Sequence, residues 1–179
     1  MKNIYDILLF ATVGITSFST LSADGNVTVT AEFFDATCNL HADSHNMTVA
    51  LDNVQLSELK TPGAISKAVP FNLKFTDCAL STIAWVGFDG TAAENSSTVF
   101  ALDEPGQSST ASGVGLEIID DYRGEVMPVG YAPSGRLTTG LALVGKEITF
   151  PYSARYKSLS NDVKLGNANV TVQFNVRYD

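Results

Sequence analysis

Val170-Thr171-Val172-Gln173-Phe174-Asn175-Val176-Arg177-Tyr178 closes the chain in strict alternation of apolar and polar side chains. Successive side chains of an extended strand point to opposite faces. The run therefore offers Val170, Val172, Phe174, Val176 and Tyr178 to a core, and Thr171, Gln173, Asn175 and Arg177 to water. The same period recurs upstream. Phe71, Leu73 and Phe75 alternate with Asn72 and Lys74, Val114, Leu116 and Ile118 share one parity, and Phe150, Tyr152, Ala154 and Tyr156 another. Turn-forming residues separate the runs at Thr61-Pro62-Gly63, Asp89-Gly90, Glu104-Pro105-Gly106, Arg123-Gly124, Pro133-Ser134-Gly135 and Leu165-Gly166-Asn167. One short helical turn fits 53–60. Many short strands punctuated in this way predict an all-β antiparallel sandwich. Residues 91–98 and 106–113, rich in small polar types, read as surface loops.

Composition agrees with one globular domain. The chain has 179 residues, 45% hydrophobic and 17% charged, too apolar and too weakly charged for a disordered segment. Its net charge of -8 repels phosphate backbones and disfavours nucleic acid as a partner. Two Cys and two His are too few for a zinc ribbon or a disulfide-dense miniprotein.

The first 23 residues read as an address. Lys2 precedes a run from Ile7 to Val13 that is apolar apart from Thr12; small and apolar types continue to Phe18, and mostly small polar residues lead to Ala23. This is the layout of a secretory signal peptide, cleaved after residue 22 or 23. Roughly 12 mostly apolar residues are too few for a span that needs ~20, so a membrane anchor is the weaker reading and no membrane span is expected. Export changes the meaning of Cys38 and Cys78. In an oxidising compartment the pair reads as a structural disulfide, closing a loop of ~40 residues that contributes ~4 kcal/mol. A redox or nucleophilic Cys is the alternative, but no Cys-x-x-Cys and no adjacent His supports it.

A second amphipathic run begins almost at the mature N-terminus, where Val27, Val29, Ala31 and Phe33 alternate with Thr28, Thr30 and Glu32. In a closed sandwich it would be an ordinary strand. Only Phe34 to Thr37 join it to Cys38, and a link that short cannot turn the strand back across a domain stapled at Cys38. The run is therefore expected to project and to fill another molecule's sheet by strand addition. Full burial of Val27, Val29 and Phe33 contributes roughly 5–9 kcal/mol, against a typical net stability of ~5–15 kcal/mol. A domain missing such a strand is expected to be poorly stable alone. A head-to-tail contact of this kind does not close, so it propagates as a filament.

Several segments together resemble the pilin subunits of Gram-negative chaperone–usher fimbriae. They are the start from Ala23 to Cys38, Val69-Pro70-Phe71-Asn72-Leu73-Lys74-Phe75-Thr76-Asp77-Cys78, the stretch from Ala111 to Asp120, and the ending from Phe150 to the penultimate Tyr178. The start is most similar to minor tip-fibrillum adaptor subunits of type 1 fimbriae. The resemblance implies an incomplete immunoglobulin-like β-sandwich lacking its C-terminal strand (37–179), preceded by a donor strand (24–36). It implies a structural subunit of a surface fimbria, polymerised by donor-strand exchange and supporting cell adhesion. Its partners would be a periplasmic chaperone, an outer-membrane usher and neighbouring subunits, on an export route through the periplasm to the cell surface. By position, Val27, Val29, Ala31 and Phe33 would be the donor side chains, and Val172, Phe174, Val176 and Tyr178 would line the acceptor groove. Ala31 departs from the glycine that many members carry there.

Other constellations are weaker. His41, Asp43 and His45 sit in one loop-like stretch and make a poor metal site. Gly-x-Ser-x-Gly is absent, and the adjacent carboxylates Asp103-Glu104 and Asp120-Asp121 read as solvated, so no catalytic residue, enzyme activity or cofactor is expected. Trp85, between Ile83 and Phe88, reads as a core tryptophan, with a sugar-stacking platform as the alternative. A receptor- or glycan-binding adhesin subunit is the rival function, resting only on exposed loops.

Overall fold

The longest strand, Ile148–Ser158 (β7), organises a sandwich in the computed structural model, which describes residues 38–51, 54–79, 83–130, 141–142 and 146–178. Among the described residues eight strands follow in chain order: β1 (Asn39–Leu40), β2 (Val69–Thr76), β3 (Ile83–Asp89), β4 (Val114–Asp120), β5 (Glu125–Val126), β6 (Leu141–Ala142), β7 and β8 (Gln173–Tyr178). One sheet has the order β1-β2-β7-β4-β5 and the other β6-β3-β8, with every ladder antiparallel. The helical content among the described residues is two 3-10 turns, Ala42–Ser44 and Leu56–Glu58, the second inside the expected 53–60. The predicted signal peptide and the donor residues Val27, Val29, Ala31 and Phe33 lie outside the described residues.

The alternating runs become strands because each buries one face. Leu73, Phe75, Leu116, Ile118, Phe150, Tyr152 and Ala154 of the first sheet meet Ala84, Val86 and Phe88 of β3 in one cluster. Phe71 stacks on Tyr152 with centroids 5.7 Å apart, and Phe88 meets the same ring edge-on at 5.0 Å. Such offset and edge contacts suit the ring quadrupole. A second cluster, Leu59, Leu102, Ala111 and Val114, fills the other end, and Tyr156 packs against both.

Pro151 stands inside β7, where a missing N–H is usually disruptive. Here β4 has already ended, and the Pro151 carbonyl accepts from the Asp121 N–H in the turn beyond at 3.2 Å. That turn is set by Asp120, whose carboxylate accepts from the Tyr122 and Arg123 N–H groups, and by Gly124 at φ 72°. Left-handed backbone favours glycine at that position.

Two expectations need correction. Trp85 does not join the core. Ala84, Val86 and Phe88, all of one parity, take the inward positions, so Trp85 falls on the outer face, where the Arg177 guanidinium lies 5.4 Å from its ring centroid. The last strand begins at Gln173 rather than Val170, because residues 167–171 bond to loop residues 103, 109 and 111 instead of to a neighbouring strand.

Candidate functional site

β8 is an edge strand, paired with β3 alone among the described residues. The consequence is visible in burial. On β3, Ala84, Val86 and Phe88 are 1–3% exposed, while the facing Phe174, Val176 and Tyr178 are only half-buried. Val170 and Val172 are half-buried too, although they continue the same inward row. A row of apolar side chains packed on the core from one side only is what a sandwich shows where one strand is missing.

The other wall of the opening is residues 47–51. Met47, Val49 and Leu51 are half-buried against the core, while Thr48 and Ala50 are exposed. This is the alternation of a strand, yet the segment joins no sheet among the described residues. Between the two walls lies a groove with a cavity volume of about 1370 Å³. Its floor is the sandwich core itself, including Leu73, Leu116, Ile118, Ala154 and Tyr156. Val172 and Phe174 line it directly, and Val176 and Tyr178 continue the row against the core. A smaller cavity of about 610 Å³ lies between residues 46–50 and the stretch of β2 before its pairing with β1. The 47–51 segment is thus flanked by open space on both sides.

Side-chain bonds hold the rim. The Tyr156 hydroxyl donates to the Ala168 carbonyl and ties the first sheet to the far lip. The Tyr178 hydroxyl donates to the Cys38 carbonyl at 3.5 Å, next to the Cys38–Cys78 disulfide, whose Cα atoms are 4.2 Å apart. Burial pushes the hydroxyl pKa of both tyrosines up, so both remain neutral donors. An apolar floor and apolar inward rows, with polar residues such as Asp103, Lys164 and Asn169 also lining the opening, suit an extended amphipathic chain that supplies its own hydrogen bonds.

The remaining sequence candidates lie elsewhere. Asp43 pairs with Lys74 at 3.2 Å and lies 3.5 Å from His41, and no group of three ligating side chains occurs among the described residues. Asp121 accepts from the Ser153 hydroxyl at 2.7 Å, a strand-to-turn tether. Asp103 is held against the rim of the groove, a placement that reading it as a solvated carboxylate did not foresee. Among the described residues no helix is long and apolar enough to cross a membrane.

Comparison with known proteins points the same way. The family model described as "Fimbrial protein" matches residues 23–179. The chain is 32% identical over 174 residues to a fimbrial-like protein, YdeS, of Escherichia coli K12, covering 96% of each chain. It is 30% identical over 180 residues to long polar fimbria protein A of Salmonella typhimurium LT2, covering 99% of this chain and 97% of that one. The crystal structure of the P pilus rod subunit PapA superposes with a TM-score of 0.64 at 17% identity, over 79% of this chain and 99% of that one.

Proposed function

Since the chain belongs to the fimbrial protein family, we propose that it is a structural subunit of a surface fimbria whose open groove receives the leading segment of a neighbouring subunit. The observation that carries this reading is the half-buried row along β8, facing a cavity about 1370 Å³ in volume. A strand laid between β8 and residues 47–51 would satisfy two backbone edges at once and complete the immunoglobulin-like sandwich.

In this reading residues 1–23 direct export and are removed. Residues 24–36 are the donor strand, with Val27, Val29, Ala31 and Phe33 facing the neighbour's groove, and Val172, Phe174, Val176 and Tyr178 are the acceptor row. A subunit with an open groove exposes apolar surface, so a periplasmic chaperone fills it in transit and an outer-membrane usher oversees the exchange. The contact is heterologous and extends into a fibre that supports adhesion. A place near the tip, as an adaptor, rests on the likeness of residues 23–38 alone. Immunogold labelling along the whole shaft would remove that placement.

The test is a synthetic peptide of residues 24–36 added to the refolded mature subunit. At about 100-fold excess over its Kd the peptide adds ~2.7 kcal/mol, which raises the unfolding midpoint by roughly 5–10 °C. A scrambled peptide should leave the midpoint where it was. An unchanged midpoint with the native peptide means the groove does not accept this strand.

A further inference from the structure

The far lip of the groove is longer than the strand that forms it. β8 begins at Gln173, yet residues 168–172 keep the alternating exposure of an extended chain, with Ala168, Val170 and Val172 turned in and Asn169 and Thr171 out. No strand ladder holds this stretch. Asp103 does. Its N–H donates to the Asn169 carbonyl at 2.8 Å. Its carboxylate accepts from the Thr171 N–H at 3.0 Å and from the Thr171 hydroxyl at 2.8 Å. A single loop residue thereby supplies the bonds that a neighbouring strand would.

Backbone geometry gives these bonds a consequence. In an extended chain the N–H and C=O of one residue point to the same side, and the side alternates along the chain. Asn169 and Thr171 turn their groups toward Asp103, so Val170 and Val172 turn theirs the opposite way, toward the groove. Without the clamp the usable edge would start at Phe174.

We infer that Asp103 is a positioning residue: it extends the groove's hydrogen-bonding edge through Val172 and Val170 and so sets the length of strand the groove reads. This rests on the groove accepting an extended segment of a second subunit, as proposed above. Asp103 also lines the cavity beside Val170 and Val172. It acts through residues 169–171.

The experiment measures the affinity of the mature subunit for the peptide 24–36 and for two series shortened one residue at a time from either end. Asp103→Ala should weaken the full peptide about 10-fold, the scale of a charge-assisted hydrogen bond. Asp103→Asn keeps one acceptor oxygen and should recover part of the loss. In the series shortened from the end that lies beside Val170, wild type and Asp103→Ala should converge once the peptide no longer reaches that residue. The other series should keep the gap. Thr171→Val, which removes one bond and suits an extended chain, repeats the comparison should Asp103→Ala fail to fold. Equal weakening of long and short peptides in both series would make Asp103 merely structural and overturn the inference. So would an unchanged affinity for the full peptide. A wild-type subunit that binds no peptide at all is a different failure, that of the groove reading, and it removes this inference with it.

Discussion

Tyr152 shows how one side chain reports on the interior. It is 3% exposed, between Phe71 and Phe88. Burial, and after it the negative charge of Asp120, holds its hydroxyl well above the ordinary value of 10.0. A group whose pKa is raised in the folded state contributes its stability in full below the unfolded value and loses it as pH climbs from there through the folded value. Stability should therefore decline as pH rises above about 10. Tyr152→Phe should change little at pH 7 and flatten that alkaline decline, as read by urea midpoints from pH 7 to 11. Identical alkaline slopes for the two proteins would contradict the assignment. The inward position of Tyr152 was legible from parity. The role of Glu117 was not: it is 1% exposed, bonded to Arg155 at 2.8 and 2.9 Å and to Lys157 at 2.7 Å. The two cations lie 38 and 40 residues from Glu117 in sequence and meet it only because the β4–β7 register sets Glu117 opposite Arg155.

Strand elements succeed or fail by what their edges meet. Beside β4, the Phe100 N–H and C=O exchange hydrogen bonds of 2.8 and 2.9 Å with Leu116, so a loop adds a rung to the sheet. Gly115 permits this approach, since a Cβ there would lie 2.4 Å from a Val99 methyl and 2.6 Å from the Phe100 carbonyl. Gly115→Ala should cost about 1–3 kcal/mol by overpacking, measurable as a lower midpoint in chemical denaturation. A wild-type midpoint would show that the loop yields freely. The groove's two walls are elements of the same kind, each an extended row with one side unpaired. The β8 wall was readable from its alternation. The 47–51 wall carries a signal of the same length as those of β2 and β4, in Met47, Val49 and Leu51, and its alternation is equally local.

At the scale of the whole molecule, the Cys38–Cys78 bridge ties the start of the domain to the end of β2, across a sequence separation of 40. Closing a loop of that size stabilises by ~4 kcal/mol in the chain-entropy model. A sandwich with an unfilled groove has little stability to spare. The double variant Cys38→Ser, Cys78→Ser should therefore be mostly unfolded alone at 37 °C by circular dichroism, and excess 24–36 peptide should restore part of the fold. Full folding of the double variant without peptide would mean that the open sandwich is sturdier than its half-buried edge suggests.

The residue pattern alone determined the fold class, the inward rows of β2, β4, β7 and β8, and the pairing of the only two cysteines. Alternation and composition are local properties, and each strand carries its own. Tertiary structure alone decided that residues 47–51 face β8 across the groove, that Trp85 lies outside the core, and that Asp103 straightens the lip beyond β8. Those facts belong to pairing and register between distant segments, and a strand's own residues do not record which of its two edges will find a neighbour.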